Sequence, residues 1–334
     1  MKKIGVLLSA CLLIFVFCSL PLICFPFLAA AENAAFVGLE DVQQTWLDNG
    51  THIIFSRGDN ELSFFDSQGL KTASFQPDEP LTRIWSVYYD DSRIHLLAAT
   101  ETDRFVISLE NGLFATTPLP EERIKGLVFP ASGGAYYRTK EDHIGYFGFR
   151  AREETVYGDV EIGGLYALTS GYGIDVLYVS EKQTKENIII GIQNGCIIWQ
   201  YKLPNSDGGT MRLPGAMKLT DAGELLAAIG DMSGASKNHL YCLSEGKLQW
   251  MAPVFDGNSF CVVDKIIVTE DSNIHLIGTN GAVICYAIYA MNGTPIHENK
   301  IEKKCPFNLF IYENGKIYGL DEAGEQRIIV IDSL

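Results

Sequence analysis

From residue 43 onward the apolar positions of this chain never settle into a sustained 3.6-residue period. They recur instead as short runs rich in β-branched and aromatic residues, broken by small groups of Asp, Asn, Ser and Gly. Runs of this kind read as strands, and the breaks between them read as hairpin turns. One series of breaks is Asp48-Asn49-Gly50, Asp90-Asp91-Ser92, Ser132-Gly133-Gly134, Gly171-Tyr172-Gly173, Asp221-Ala222-Gly223, Asp271-Ser272-Asn273 and Glu313-Asn314-Gly315. The last members of these triplets are spaced by 42, 42, 39, 50, 50 and 42 residues. A second series falls inside most of the units: Ser67-Gln68-Gly69, Glu110-Asn111-Gly112, Gln193-Asn194-Gly195, Ser244-Glu245-Gly246 and Met291-Asn292-Gly293. Asn and Gly suit such places because a tight hairpin turn needs positive φ.

Each unit therefore reads strand, turn, strand, loop, strand, turn, strand. The second unit predicts strands over Arg83–Tyr89, Arg93–Thr100, Arg104–Leu109 and Leu113–Thr117. The fifth predicts Gly215–Thr220, Glu224–Ile229, His239–Leu243 and Lys247–Met251. Four antiparallel strands recurring at about 40–50 residues are the sequence signature of a β-propeller blade. The expected fold is all-β: one seven-bladed β-propeller domain over residues 32–334, at about 43 residues per blade. The seventh unit supplies strands near Phe307–Tyr312, Lys316–Leu320 and Arg327–Ile331, and then the chain stops. An apolar run near the start, Ala35-Phe36-Val37-Gly38-Leu39, belongs to no unit. Pairing it beside Arg327–Ile331 would complete the last blade, close the ring and cover an exposed edge.

The first 31 residues are different material. Lys2 and Lys3 form a basic head, and residues 4–31 hold no charge. With Ala29-Ala30-Ala31 ahead of Glu32, this is the layout of an export signal with its cleavage site. The run is also long enough to span a bilayer, so residues 1–31 read as a signal peptide or an N-terminal membrane anchor. Pro21 and Pro26 argue against one continuous helix. Leu8-Ser9-Ala10-Cys11 looks like a lipidation box, but the apolar stretch runs well past Cys11. The expected location is extracytoplasmic, secreted or tethered to the outer face of the membrane.

The chain carries a net charge of −15, and loss of Lys2 and Lys3 with the leader would take it to −17. That balance disfavours nucleic acid and anionic membrane surfaces, whose recognition rests on Lys and Arg. Membrane contact is expected only through the N-terminal segment. Of the eight cysteines, Cys11, Cys18 and Cys24 lie in the leader. Cys196, Cys242, Cys261, Cys285 and Cys305 remain, an odd number without a C-x-x-C pair. Apolar strand settings predict inert, mostly unpaired thiols there.

Gly315-Lys-Ile-Tyr-Gly-Leu-Asp321 and Leu243-Ser-Glu-Gly-Lys-Leu-Gln-Trp250 resemble the repeat phrases of quinoprotein-like propellers, in which a strand ending in Leu-Asp precedes a Gly-Lys-x-x-Trp hairpin. Ile192-Gln-Asn-Gly-Cys-Ile-Ile-Trp199 is similar to the second phrase, and Leu47-Asp-Asn-Gly-Thr-His-Ile-Ile-Phe55 resembles the repeats of TolB-type propellers. The resemblance covers most of residues 43–334. It implies the propeller fold and an envelope setting, in which many such proteins act as scaffolds. It does not imply the quinone cofactor, because the adjacent Cys-Cys pair of those dehydrogenases does not occur here.

The chain has no G-x-S-x-G, H-E-x-x-H, P-loop or EF-hand spacing, and no sialidase Asp-box. The glycine pairs 133–134, 163–164 and 208–209 are too unevenly spaced for kelch repeats. His95 and His275 each stand in Ile-His-Leu after the first turn of a unit, and Tyr318 takes the matching place in the last. They could ring a channel and hold a ligand, but a repeat position that prefers a flat, half-buried side chain explains them as well. His52, His143, His239 and His297 are scattered. Arg57-Gly58-Asp59 is an adhesion tripeptide set among ordinary turn residues, and Asn49-Gly50-Thr51 and Asn292-Gly293-Thr294 are glycosylation sequons at turns. The loops at 205–209 and 233–238 are polar and Gly/Ser-rich, the kind of loop where binding sites reside.

The sequence thus assigns no catalytic residue, no cofactor and no metal ligand, and leaves any ligand-binding set open. The functional expectation is a non-catalytic propeller that binds another envelope or extracellular protein or a ligand. The alternative is a loop-built enzyme on the same frame, glycan-cleaving or quinoprotein-like, its groups contributed by different blades. Two carboxylates about 5–10 Å apart in an axial pocket would favour a glycosidase. An apolar patch of several hundred Å² would favour a protein partner.

Overall fold

The computed structural model describes residues 42–46, 52–56, 59–65, 71–90, 93–131, 133–149, 152–204, 212–231, 238–255, 262–279, 283–302, 310–313, 316–321 and 327–333. Every regular element among them is a strand, and every pairing between strands is antiparallel. The first sheet runs β1 (Val42–Trp46), β2 (His52–Ser56), β3 (Glu61–Phe65), β4 (Lys71–Phe75), and the second β5 (Arg83–Asp90), β6 (Arg93–Ala99), β7 (Arg104–Glu110), β8 (Leu113–Pro118). Then come β9 (Ile124–Ala131), β10 (Gly134–Thr139), β11 (His143–Gly148), β12 (Glu154–Gly171), β13 (Ile174–Glu181), β14 (Asn187–Gln193) and β15 (Cys196–Lys202), hydrogen-bonded as one seven-stranded sheet. β16 (Arg212–Leu219) to β19 (Lys247–Val254), with β17 (Leu225–Asp231) and β18 (Asn238–Ser244) between, form the next. β20 (Val262–Val268), β21 (Asn273–Thr279), β22 (Val283–Ala290) and β23 (Pro295–Glu302) follow, and β24 (Phe310–Glu313), β25 (Lys316–Asp321) and β26 (Arg327–Ser333) come last. Strand order within each sheet is chain order, the meander that the turn series predicts.

The seven-stranded sheet is two four-stranded units that share β12. Residues up to Glu161 pair with β11, and residues from Ile162 onward pair with β13. Gly163-Gly164 stands inside a continuous strand that passes from one unit to the next. A Cβ on Gly164 would strike the ring of Tyr166, which folds back over the junction.

Residues 79–304 form one compact unit, and residues 1–78 with 305–334 form another. In the larger unit, consecutive sheets stack face to face, and the middle strands are apolar on both faces. Leu177 and Val179 of β13 pack toward β10–β12 with Ile144, Ile162 and Leu165. Val176 and Tyr178 of the same strand pack the other way, with Leu225, Ala227 and Tyr241. Leu226 and Ala228 then turn to Val263, Ile274 and Leu276, while Leu97 and Val106 meet Ile124, Ala135 and Tyr137. This is why Ile188-Ile189-Ile190-Gly191-Ile192 is an unbroken buried run, whereas the outermost β15 alternates exposed and half-buried. In the smaller unit the first sheet buries Ile53, Phe55, Leu62 and Phe64. β24–β26 is a three-stranded sheet, and the segment expected to complete it, residues 35–39, lies outside the described residues, as do residues 1–31, expected to be a signal peptide or anchor.

The tryptophans of the two Gly-x-x-x-Trp phrases pin one sheet to the next. Trp199 of β15 lies over Gly191 of its own sheet and against the turn glycine Gly246 between β18 and β19. Trp250 of β19 lies against Gly293 between β22 and β23 in the same way. A Cβ on Gly246 would sit 2.8 Å from that of Trp199, and one on Gly293 would sit 2.5 Å from the Trp250 ring. Gly246 (φ +73) also completes a turn with Glu245 in which both residues have positive φ. Gly195 provides the control: its φ is also +73 and nothing lies within 4 Å of its would-be Cβ. Gly195→Ala should cost only the backbone strain, about 1 kcal/mol, and Gly246→Ala about 1–3 kcal/mol more from overpacking. Urea midpoints of the two variants measure the difference, and equal losses would mean that Trp199 does not bear on the turn.

Candidate functional site

The first strands of consecutive sheets in the larger unit, β5, β9, β12, β16 and β20, lie side by side and make an inner wall. Each carries a bulge against its second strand. The extra residues are Trp85 in β5, residues 125–127 opposite Arg138 in β9, Gly163 and Tyr166 in β12, Gly215-Ala216 in β16, and Asp264 in β20. A bulge bends its strand and re-aims the side chains beside it. In β9 it turns Leu127 outward, with Gly126 at φ +92 and its carbonyl accepting from Arg104 Nη1 at 2.7 Å. Leu127 and, from β20, Val262 are exposed large apolar side chains on this wall.

The seam between β10–β12 and β13–β14 holds the densest polar chemistry. At the turn end, Asp175 of β13 accepts hydrogen bonds from Ser170 Oγ at 2.5 Å and Tyr136 Oη at 2.9 Å. The Tyr136 ring packs 4.8 Å from Tyr146 and 6.5 Å from Tyr157. Burial raises the pKa of Asp175, and its two donors only partly offset that. Burial, and then the Asp175 charge, holds Tyr136 firmly protonated. The group is thus a carboxyl that retains its proton more readily than a free one, which is an acid–base capability. One rim further on, Tyr172 donates to Asp221.

At the opposite end of the same seam, Asp142 receives Lys125 Nζ at 2.8 Å, Arg138 Nη2 at 2.6 Å and Lys182 Nζ at 3.0 Å. Its carbonyl accepts from Ile162 N at 2.7 Å, and Lys182 N donates to Glu161 O at 3.1 Å. These bonds brace the corner where β12 passes from one unit to the next. The lysine hydrogen bonds hold the Asp142 carboxyl far below the usual carboxylate range. Every cation here already serves a carboxylate, so the cluster reads as a clamp.

His95 and His275 do not converge. Each is buried, at 4% and 6% exposure, against the third strand of its own sheet. His95 Nδ1 meets Ser108 Oγ at 2.7 Å with its ring 5.2 Å from Phe149, and His275 Nδ1 meets Tyr286 Oη at 2.8 Å. Burial lowers the pKa of His275. The repeat position explains both, and the ring of channel-facing groups is not formed by them. Of Tyr318 only the backbone, in β25, is described. Asp59 is exposed, while Arg57, Gly58, Asn49 and the loops at 205–209 and 233–237 lie outside the described residues. Asn292 is exposed, and its Oδ1 accepts from Thr294 N at 3.0 Å, an Asx turn. Cys242 is a buried free thiol pushed up to about 12, and Cys196 is an exposed free thiol. Cys285 is disulfide-bonded, compatible with thiols that are mostly rather than all unpaired.

Asp142 and Asp175 act on stability with opposite signs. The depressed Asp142 contributes stability that is present above the unfolded value near 4 and is lost as pH falls through its folded value. The raised Asp175 contributes stability that is full below that value and is lost as pH rises through its folded pKa. Urea midpoints from pH 3 to 7 should therefore show Asp175→Asn gaining on the wild type with rising pH and Asp142→Asn losing ground to it. Tyr136→Phe removes one of the two hydrogen bonds to Asp175 and should cost about 1–3 kcal/mol, read from the same urea midpoints.

No family model and no curated protein matches the chain. Solved structures do. The β-propeller domain of Cps50 (Swd1) from Myceliophteria thermophila shares 12% identity over 89% of this chain and 98% of that one, with a TM-score of 0.57. A streptogramin B lyase shares 15% over 91% and 95%, at 0.55. Virginiamycin B lyase from Staphylococcus aureus shares 14% over 85% and 92%, at 0.53. At such identities the likeness concerns fold alone, and it agrees with the stacked four-stranded meanders. The chain has the β-propeller fold.

Proposed function

We propose that this protein is an exported, non-catalytic β-propeller that binds another protein in the cell envelope. The observation that carries the reading is the recurrence of exposed apolar side chains on the outer strands of consecutive sheets. Leu113 on β8, Val156 on β12, Ile198 on β15, Leu248 and Met251 on β19, and Ile296 on β23 all face solvent, on a frame whose middle strands are rigidly buried. Apolar groups repeated around one rim offer contact area to a partner. The disulfide at Cys285 supports an oxidising compartment, as do the basic head and uncharged run of residues 1–31. In this reading β24–β26 belong to the seventh blade, and residues 35–39 supply its fourth strand.

A second reading has one observation in its favour: the proton-retaining Asp175, flanked by two tyrosines, could serve as an acid or base in a loop-built enzyme. A pull-down from envelope fractions with residues 32–334, run beside a panel of glycans, separates the two. A specific partner recovered equally by Asp175→Asn supports the scaffold, whereas glycan turnover abolished by Asp175→Asn overturns it. Deleting residues 33–40 should lower the thermal midpoint by several degrees, and an unchanged midpoint removes them from the last blade.

A further inference from the structure

Among the described residues the outer strands are guarded, with one exception. β4 has a bulge at Thr72 and pairs Lys71 with Glu61. The outer part of β12 has a register shift and carries Glu154, Asp159 and Glu161. β15 has a bulge at Ile198 and ends on Lys202. β19 has a bulge at Gln249 and holds Lys247 and Pro253. β23 has a bulge at Ile296 with Glu298, Lys300 and Glu302, and β26 has a bulge at Ile331 with Arg327 and Asp332. Bulges, charges and prolines are the means by which an edge strand avoids pairing with another chain.

β8 has neither bulge nor charge. Its sequence is Leu113-Phe114-Ala115-Thr116-Thr117-Pro118, and it follows β7 in unbroken register from Glu110↔Leu113 to Phe105↔Pro118. It stands at the outer end of its sheet, and proline closes only its last position. Leu113, at 76%, is the most exposed large apolar side chain among the described residues. Asn111 and Gly112 have φ of 51 and 76, a two-residue turn that makes Glu110 and Leu113 a hydrogen-bonded pair. Thr116, opposite Ile107 in a non-hydrogen-bonded pair, therefore turns its N–H and C=O away from β7.

We propose that β8 is a docking edge that takes up an extended strand from a partner protein, adding it to the sheet β5–β8. This rests on the scaffold reading above and names its contact. A strand is the occupant because a straight, uncharged edge offers backbone donors and acceptors in strand spacing. The ends of β8 differ in charge. Beside Leu119, Glu101 and Asp103 are exposed, while Arg104 is taken up by Glu121 and Arg123 pairs with Glu122; at the Leu113 end Glu110 pairs with Arg93. The fitting segment has a β-branched, uncharged centre and Lys or Arg at the flank that meets Glu101 and Asp103. A second copy of this chain, with its net charge of −15, is repelled instead.

The test is hydrogen exchange on the full-length protein with two probes, the peptide Lys-Thr-Val-Thr-Val-Thr-Lys and its counterpart with Glu at both ends. The basic peptide should slow exchange across residues 113–118 by about ten-fold or more, leaving β15, β19 and β23 unchanged, and the acidic one should not. Thr116→Lys, a solvent-facing change on a strand that tolerates it, should abolish the protection with the thermal midpoint retained. Thr116→Pro, which removes the outward N–H, should do the same. No slowing, equal slowing on every outer strand, or protection without peptide in a solution where sedimentation shows dimers overturns the proposal. A partner that the pull-down recovers equally with Thr116→Lys overturns this edge while leaving the scaffold reading in place.

Discussion

A strand that is apolar on both faces cannot lie on the surface of anything. β6, β13, β14, β17, β21 and β22 are such strands, and each obliges its sheet to have a neighbour on either side. Once that requirement repeats every forty-odd residues, stacking face to face is the arrangement that satisfies all the sheets together, since each covers the next. The remaining features of the larger unit answer to it. Trp199 and Trp250 reach across at the outer end of the interface, where only a glycine turn leaves room. Polar groups caught in the seams must find partners there, because an unpaired group in that medium is costly. Asp175 and Asp142 meet this demand differently, one through neutral hydroxyls and the other through three cations.

Stacking uses up the faces of the sheets and leaves their edges. The inner edges are bulged strand by strand, which turns selected side chains such as Leu127 and Val262 out of the core. Most outer edges are bulged as well, and there the effect is protective. β8 is set apart by its straightness and lack of charge, features that carry no meaning alone but contrast with the other outer strands. In a molecule whose faces are committed to folding, edges and loops are the surfaces left for function.

Much of this was legible beforehand. The turn series was readable because positive φ is required at two-residue turns and Asn-Gly meets it, as Asn111-Gly112 and Asn194-Gly195 do. Strands expected at Arg93–Thr100 and Lys247–Met251 appear as Arg93–Ala99 and Lys247–Val254. The departures arise where contacts between units outweigh local signals. Nothing in the turn series shows that β12 runs on through Gly163-Gly164 from one unit to the next, where Asp142 and Lys182 hold the corner from outside the strand. His95 and His275 share a motif and suggest a ring, yet a buried strand position accounts for both. The Tyr136–Asp175 pair spans 39 residues with no shared motif, and nothing in the local pattern marks either residue.

The chain by itself determined strands, turns and the period of their recurrence, because those depend on side-chain alternation and on φ preferences that act within a few residues. It also determined that the middle strands would be buried twice over, since a run such as Ile188–Ile192 has no polar face to offer water. Only the tertiary structure decided which polar groups share a seam, which cysteine is paired, and which outer strand is left straight. Those outcomes depend on neighbours forty residues away, whose distance and register are set by packing between sheets, and that packing has no local signature.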